Sequence, residues 1–356
     1  MARGHVDAPV VITGTDAPIF AYIQDTKKIA RHQFYPFIEF TKVTPRFKKQ
    51  RDGKRKIENK ERPLAYASHL DALIYSWYSA LLSAEYEEYI KTEPFASSVI
   101  AYRKLRNEVG FGKSNIHFAN EVFNSIKRLG RCVVLTFDVE SFFPTLRHDH
   151  LKAMWCRVLN KSFLPEDQYT VFRSLTKFAF IKREDLLTHF GEGKKDRRRL
   201  VGKRRSRICS SAEFHEFKKM KFVDGRPAVA LNPESIRGIP QGSSMSGLLS
   251  NIYMLSFDSL MYSEVTRLGG MYCRYSDDIA IVLPEGIDEE VTRVRVWEEC
   301  KKIGLVIHPD KSETIFLIKR PRGCSLQVVR LIIWAFLLMV KRYFFVQKQF
   351  RNSIDL

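Results

Sequence analysis

Two adjacent aspartates, Asp277 and Asp278, lie between two β-forming runs in the stretch RYSDDIAIV. The flanking runs, MYCRY and IAIVL, have the length and composition of paired strands, which predicts a tight β-hairpin. Adjacent carboxylates repel each other, and they take up protons if they are buried without a nearby cation. The hairpin therefore needs a positive charge close to its turn, although two idle, exposed turn aspartates remain the alternative for this stretch alone.

A third aspartate, Asp138, ends the hydrophobic run CVVLTFD. If this strand lies beside the hairpin, the three carboxylates meet at one edge of the sheet. Two Mg²⁺ ions about 3.5–4 Å apart between such carboxylates form the arrangement used for in-line phosphoryl transfer. Mg²⁺ also favours a few carboxylates and substrate phosphates over a full protein cage. We therefore expect a two-magnesium site.

The charge balance indicates a polyanionic partner. The 356 residues include 59 Lys and Arg against 40 Asp and Glu, a net charge of +19. Such a surplus favours nucleic acid first and an acidic membrane surface second. The basic runs at 46–56 and 194–207 are expected as exposed loops that can contact phosphates.

Cysteine spacing and the N-terminus indicate the compartment. The six cysteines are scattered without a CxxC pair, which favours small buried side chains over disulfides or a zinc site. No basic-then-apolar signal pattern opens the chain. A cytoplasmic protein without a membrane partner is expected.

The order of elements predicts an α+β fold. A strand is expected at 97–107, and NIHFANEVFNSIKRLG predicts a helix closed by Gly130. From residue 131 the order strand, helix, helix, hairpin, helix, strand is typical of an antiparallel sheet with helices on one face, of the split-βαβ kind. An earlier helix is predicted from an apolar stripe: Leu70, Leu73, Ile74, Trp77 and Leu81.

Four stretches resemble, in order and spacing, the successive palm motifs of reverse transcriptases: FDVESFF, GIPQGSSMSGLLSNIYM, YSDD and GLVIHPDKSETIF. Upstream, AYRKL resembles the fingers motif. ERPLAYASHLDALIYSWYSALLSAEYEEYI resembles the N-terminal helices of bacterial enzymes of the retron, abortive-infection and phage-defence groups. The resemblance covers roughly residues 60 to 318. It implies a right-hand polymerase with an antiparallel palm sheet that uses an RNA template or companion non-coding RNA, a DNA primer and deoxynucleoside triphosphates.

The resemblance also implies a domain plan. It comprises an N-terminal helical region at 1–95, fingers at 96–130, palm at 131–160 and 236–318, a fingers insertion with a basic loop at 161–235, and an aberrant tail at 319–356 in place of a thumb.

At the metal site, the resemblance makes Asp138 and Asp277 the principal ligands, with Asp278 beside them and the backbone carbonyl of Val139 as a further ligand. Phe143 would lie under the sugar and exclude a 2′-hydroxyl. Its neighbour Phe142 is expected in the core, because strand side chains alternate.

The remaining implied residues would contact substrate or template. Arg103 and Lys104 share a predicted strand, so one would face the triphosphate and the other the opposite side. Gln241 would hydrogen-bond substrate or template, and Gly242 would allow close backbone approach to a nucleotide. A plain Gly/Pro turn before a helix N-cap is the alternative for these two residues.

Two further residues have open roles. Tyr275 would lie near the primer terminus, or it is an ordinary strand aromatic. Lys311 would donate a proton to departing pyrophosphate, or it is a solvated lysine.

The leading hypothesis is an RNA-directed DNA polymerase of antiviral defence. The Asn-Ala-x-x-His pattern of retron enzymes is absent, which favours the abortive-infection and other defence groups. A group II intron-type reverse transcriptase is weaker, because no maturase or endonuclease pattern follows. A catalytically lapsed RNA-binding scaffold is the alternative from another class.

The tail departs from the family, which usually continues with a Tyr-Leu-Gly-Phe-like strand. Codons for 332–336 permit that strand in another frame, and those for 338–341 permit Asp-Gly-Lys. We predict that the gene, read in another frame near codons 319–331, encodes this pattern and continues past the stop. Sequencing the gene and its flanks tests this. An open frame without such a continuation would refute it and favour a divergent tail that packs as an apolar helix.

Overall fold

The computed structural model describes residues 4–10, 18–49, 55–106, 110, 112–113, 115–191 and 207–317. The tail at 319–356 and nearly all of the basic run at 194–207 lie outside the described residues. The chain divides into two compact units, one of residues 1–84 and 160–246 and the other of residues 85–159 and 247–356. The assignment of segments to fingers and palm stays a prediction.

The elements are as follows. The helices are α1 (Pro18–Gln24), α2 (Thr26–Ala30), α3 (His69–Lys91), α4 (Asn115–Leu129), α5 (Phe142–Thr145), α6 (His148–Val158), α7 (Glu166–Thr176), α8 (Arg183–Phe190), α9 (Ser211–Lys219), α10 (Ser246–Tyr253), α11 (Leu255–Arg267) and α12 (Glu289–Lys302). The strands are β1 (Phe37–Lys49), β2 (Arg55–Tyr66), β3 (Cys132–Asp138), β4 (Ala179–Lys182), β5 (Ala230–Leu231), β6 (Met271–Tyr275), β7 (Asp278–Pro284) and β8 (Glu313–Leu317). Two short 3₁₀ turns occur at Ala96–Ser98 and Pro309–Lys311.

The first unit contains a four-stranded sheet in the order β2-β1-β4-β5. β1 and β2 are antiparallel over their whole described length, but only Phe37, Ile38 and Glu39 of β1 pair with β4. The outer part of the β1–β2 pair is therefore a two-stranded arm. The sequence analysis expected a loop at 46–56, and the described ends of that run belong to strands instead, because the pairing of β1 with β2 continues through them.

The helix α3 is confirmed, but its buried face only partly coincides with the predicted stripe: Ile74 is fully buried. Leu81 of the predicted stripe is 44% exposed. The buried positions include tyrosines, which an apolar count omits. Tyr75 donates its hydroxyl to Ser174 at 2.9 Å and Tyr78 donates to Asp167 at 2.7 Å, so both rings bury their apolar part with the polar tip satisfied.

The second unit contains a four-stranded antiparallel sheet in the order β6-β7-β3-β8. The first of these four strands along the chain, β3, lies between the third and the fourth, β7 and β8. This is the spatial order of the predicted split-βαβ arrangement. The α+β class with an antiparallel sheet is thus confirmed. The α4 helix ends at Gly130, which has a φ of +74° as predicted for a helix-closing glycine.

Both faces of this sheet are covered. On one face α4 packs Phe118 and Val122 against Val134 and Val282. On the other face α11 lies against β6, and α12 contacts β3. The sequence analysis expected helices on one face of the sheet, and the structure has helices on both faces.

The described cysteines match the expectation for small buried residues. Cys132, Cys156, Cys209, Cys273 and Cys300 are all buried and free of disulfide bonds. Cys324 lies outside the described residues.

The loop before α10 is held against β2 in the first unit. The backbone N–H of Ala65 donates to the Gln241 carbonyl at 2.8 Å. Gly242 has a φ of +122°, and a Cβ on it would lie 2.5 Å from the Ala65 carbonyl oxygen. Gly242 is thus closely approached by protein backbone, and the approach of a nucleotide stays a prediction.

We predict that Gly242→Ala lowers the free energy of unfolding by about 1–3 kcal/mol, because the new methyl group meets a backbone oxygen and the φ is unfavourable for alanine. Urea denaturation measures the change. Gly112→Ala is the matched control, since a Cβ at Gly112 meets nothing within 4 Å. Equal stability of the two variants would contradict the steric explanation.

Candidate active site

Two of the three predicted carboxylates, those of Asp138 and Asp278, lie side by side at one edge of the β6-β7-β3-β8 sheet, and Asp277 lies in the adjoining turn. β3 ends at Asp138 and β7 begins at Asp278, and the two residues are direct partners in the antiparallel register. Residues directly opposite in such a pair project from the same face. Both are buried, with exposed fractions of 7% for Asp138 and 6% for Asp278. Asp277 is half-buried in the turn before β7.

Backbone hydrogen bonds tie this edge together. The N–H of Val139 donates to the Asp277 carbonyl at 3.1 Å, and the N–H of His308 donates to the Asp138 carbonyl at 2.8 Å. Val139 therefore has an observed role through its N–H, and the predicted metal contact of its carbonyl stays a prediction. The turn residue Ser276 has a φ of +60°, a strained value typical of functional turns.

Lys311 supplies a positive charge at this edge. The Pro309–Lys311 turn directs its Nζ to 3.2 Å from Asp138 Oδ1. The lysine side chain is 45% exposed, so it contacts both the carboxylate and solvent. The need for a cation beside the paired carboxylates is met here by an ammonium group.

The donor set fits an open metal site. Within the described ranges, no group of three His, Cys, Asp or Glu side chains is arranged to hold a metal ion. Asp138 and Asp278 lie side by side, and Asp138 already accepts a cation in the form of Lys311 Nζ. Such a pair suits Mg²⁺ completed by substrate phosphates rather than a closed protein cage.

Phe142 and Phe143 depart from the expected alternation. Both lie in the short helix α5 and both are buried, with ring centroids 5.6 Å apart. The chain leaves the strand at Asp138, and Ser141 at a φ of +46° redirects it. Strand alternation therefore does not apply. Phe142 is buried as predicted, but Phe143 is buried beside it.

Arg103 and Lys104 do not lie on a strand. The predicted strand at 97–107 overlaps the Ala96–Ser98 turn and has only isolated bridges, at Val99 and Arg106, in its described residues. Arg103 causes much of this departure, because its guanidinium folds back to donate to the carbonyls of Ala96 and Val99.

The two basic side chains consequently differ. Arg103 also forms a two-point pair with Glu87, at 2.9 Å and 2.8 Å, and is only 5% exposed. Lys104 is exposed. Of the pair, the lysine presents its charge to solvent and the arginine is used inside the protein.

Tyr275 and the Gln241–Gly242 pair complete the predicted set. Tyr275 is half-buried at the end of β6 and pairs with Asp278 in the strand register. It packs against the apolar cluster that α4 forms with the sheet. Gln241 and Gly242 belong to the first compact unit, where they lie against β2.

Sequence reasoning missed a buried ion pair beneath the hairpin. Arg274 of β6 and Asp258 of α11 are each fully buried, with Nη2–Oδ2 at 2.6 Å. A charged residue inside an apolar strand, together with an opposite charge inside the apolar helix MLSFDSLM, was the available indication.

None of the described helices combines the length and the apolar character needed to cross a bilayer.

Comparisons with known proteins give the following. A family model described as reverse transcriptase (RNA-dependent DNA polymerase) matches residues 218–348, less than half of the chain. The match includes Gln241, Asp277, Asp278 and Lys311 but not Asp138. No curated protein matches.

Solved structures that resemble the chain include telomerases. One is telomerase from Candida tropicalis in complex with a TWJ fragment of telomeric RNA, with a TM-score of 0.47 and 12% identity over 83% of this chain and 44% of that one. A second is apo telomerase from Candida tropicalis truncated from the C-terminal domain, with a TM-score of 0.44 and 13% identity over 86% and 55%. A third is telomerase from Candida albicans in complex with a TWJ fragment of telomeric RNA. Its TM-score is 0.43, with 13% identity over 86% of this chain and 46% of that one. The chain spans about half the length of these telomerase chains. By the family match, residues 218–348 carry the sequence pattern of a reverse transcriptase domain.

Proposed function

We propose that this chain is an RNA-directed DNA polymerase that acts by two-metal nucleotidyl transfer. The observation that carries the proposal is the direct pairing of Asp138 with Asp278 at the sheet edge where the Asp277 turn also lies. The reverse transcriptase match over 218–348 supports it independently, since that match does not include the Asp138 strand.

The three carboxylates would bind divalent ions, with the remaining ligands coming from substrate. When bound, Mg²⁺ would activate the primer 3′-hydroxyl and neutralise the triphosphate. The ammonium of Lys311, 3.2 Å from Asp138 Oδ1, holds protons at the same edge. It would donate one of them to the departing pyrophosphate.

Four further residues of the predicted set would contact the substrates. Lys104, being exposed, is the better candidate of the fingers pair for the triphosphate. Phe143 would exclude a 2′-hydroxyl, and Tyr275 would contact the primer terminus. Gln241 would hydrogen-bond substrate or template.

The two-stranded arm of β1 and β2 would bind the template. Lys42 lies opposite Arg62 in its register, and Lys60 lies two positions along on the same face. Such a row of cations suits an RNA backbone and would make binding depend on salt.

The biological role would be antiviral defence, and the protein would act with a companion or template RNA. Support for this finer role comes from the sequence pattern at 61–90, which resembles bacterial defence enzymes. Recovery of a bound RNA with the purified protein would identify the template or companion.

We expect Asp277→Asn/Asp278→Asn to abolish Mg²⁺-dependent primer extension, by at least about 100-fold, because two carboxylates that hold the ions lose their charge. Incorporation of labelled deoxynucleotide on an RNA template measures this. The control is Glu289→Gln/Glu290→Gln, which neutralises two adjacent acids at the start of α12.

Extension by the wild-type protein that only the Asp277/Asp278 variant loses supports a polymerase. Equal signals in wild type and that variant reject it. Bound RNA without any extension favours the lapsed scaffold.

We expect Phe143→Leu to raise ribonucleotide incorporation relative to deoxynucleotide by about tenfold, because a smaller side chain leaves room for the 2′-hydroxyl. Single-nucleotide extension with each substrate gives the ratio. Phe142→Leu is the matched control, since Phe142 is an adjacent buried ring of the same helix. Unchanged selectivity in the Phe143 variant would remove this residue from the nucleotide site.

A further inference from the structure

The ion pair of Arg274 and Asp258 is fully buried, and removing both charges from water costs free energy. The guanidinium donates through Nε to Asp258 Oδ1 at 2.7 Å and through Nη2 to Oδ2 at 2.6 Å. Tyr272 donates its hydroxyl to the same carboxylate at 2.6 Å. Burial acts to lower the pKa of Arg274, but Asp258 outweighs it and the net pKa lies above the usual value, so the group stays charged. Apolar residues often replace such pairs without loss of stability, so stability alone explains the pair poorly.

The guanidinium has a further donor, and that donor reaches the hairpin turn. Arg274 Nη1 donates to the Ser276 carbonyl at 2.9 Å and also approaches Asn251 Oδ1 at 3.3 Å. Asn251 in turn donates to the Ala101 carbonyl at 2.7 Å. Only a planar, forked cation can hold a carboxylate with two nitrogens and a carbonyl with the third.

These contacts fix the backbone on both sides of Asp277. The preceding carbonyl, of Ser276, is held by Arg274. The carbonyl of Asp277 itself is held by the Val139 N–H at 3.1 Å. A left-handed residue other than glycine, such as Ser276, is strained and persists only where the surroundings determine it.

We propose that Arg274, held by Asp258, is a positioning residue that orients the Ser276–Asp277 peptide and so sets the place of the Asp277 carboxylate at the sheet edge. This inference rests on the proposed polymerase function and deepens it. Arg274 acts from the face opposite Asp138, because in β6 it is Tyr275 that pairs with Asp278.

The test uses Arg274→Lys and the double variant Arg274→Met/Asp258→Asn in the full chain. The lysine keeps the charge without the fork. The double variant removes both charges together and leaves an acceptor for the Tyr272 hydroxyl. We expect each to lower kcat for primer extension about 10- to 100-fold with KM for the deoxynucleotide near its wild-type value, and to weaken Mn²⁺ binding, followed by electron paramagnetic resonance, about tenfold.

Hydrogen–deuterium exchange supplies a readout without metal or substrate. Peptides that contain 275–278 should exchange faster in both variants, while the rest of the second unit keeps its protection. Arg295→Lys is the matched control, because Arg295 pairs with Glu264 of the same helix α11, with Nε–Oε1 at 3.0 Å. It should leave exchange, kcat and Mn²⁺ affinity unchanged.

Unchanged exchange at 275–278, or wild-type kcat and Mn²⁺ affinity in a folded variant, overturns the inference. Loss of protection throughout the unit also overturns it, since the pair would then stabilise the whole unit. If wild-type protein neither extends primers nor binds Mn²⁺, the proposed function fails. The exchange at 275–278 then still decides whether Arg274 holds the turn.

Discussion

The pairing of β3 with β7 in a single register determines the geometry of the candidate active site. Side chains alternate along a strand, so a shift by one residue would place Asp138 and Asp278 on opposite faces. The register is specified from both sides of the sheet. Val134 and Val282 pair on one face, and Leu135 and Ile281 pair on the other, and all four are buried. The position of the carboxylates is thus a consequence of how the apolar rows pack.

Two cations of different kinds surround the aspartates. Lys311 approaches Asp138 from the solvent side and remains partly exposed. Arg274 lies under the turn, fully buried, with its charge balanced by Asp258. The lysine contributes a partly exposed charge, whereas the arginine contributes fixed geometry. This division agrees with the chemistry of the two side chains, a compact ammonium and a rigid fork.

The sequence predicted what depends on periodicity. The hairpin of β6 and β7, the strand that ends at Asp138 and the helix closed by Gly130 were all evident from alternation, turn composition and a helix-stopping glycine. The sequence did not predict local structure that is set by hydrogen bonds from a side chain to the nearby backbone. Arg103 turns its own segment away from a strand by binding the carbonyls of Ala96 and Val99.

Other failures have equally local causes. Phe142 and Phe143 follow a left-handed serine that no composition rule identifies, so the strand pattern was extended too far. The link between Arg274 and Asp258 joins a strand to a helix and needs tertiary structure to be seen. Catalytic roles depend on contacts with substrate, and hydrophobic periodicity does not predict such contacts.

The arm formed by β1 and β2 has a consequence for its own stability. Lys42 lies directly opposite Arg62 in the register. Like charges in opposite positions weaken a strand pair. Only the inner end, at Phe37 to Glu39, is supported by a third strand. A polyanion bound beside Lys42 and Arg62 would offset their repulsion, so binding of a polyanion and pairing of the two strands would stabilise each other.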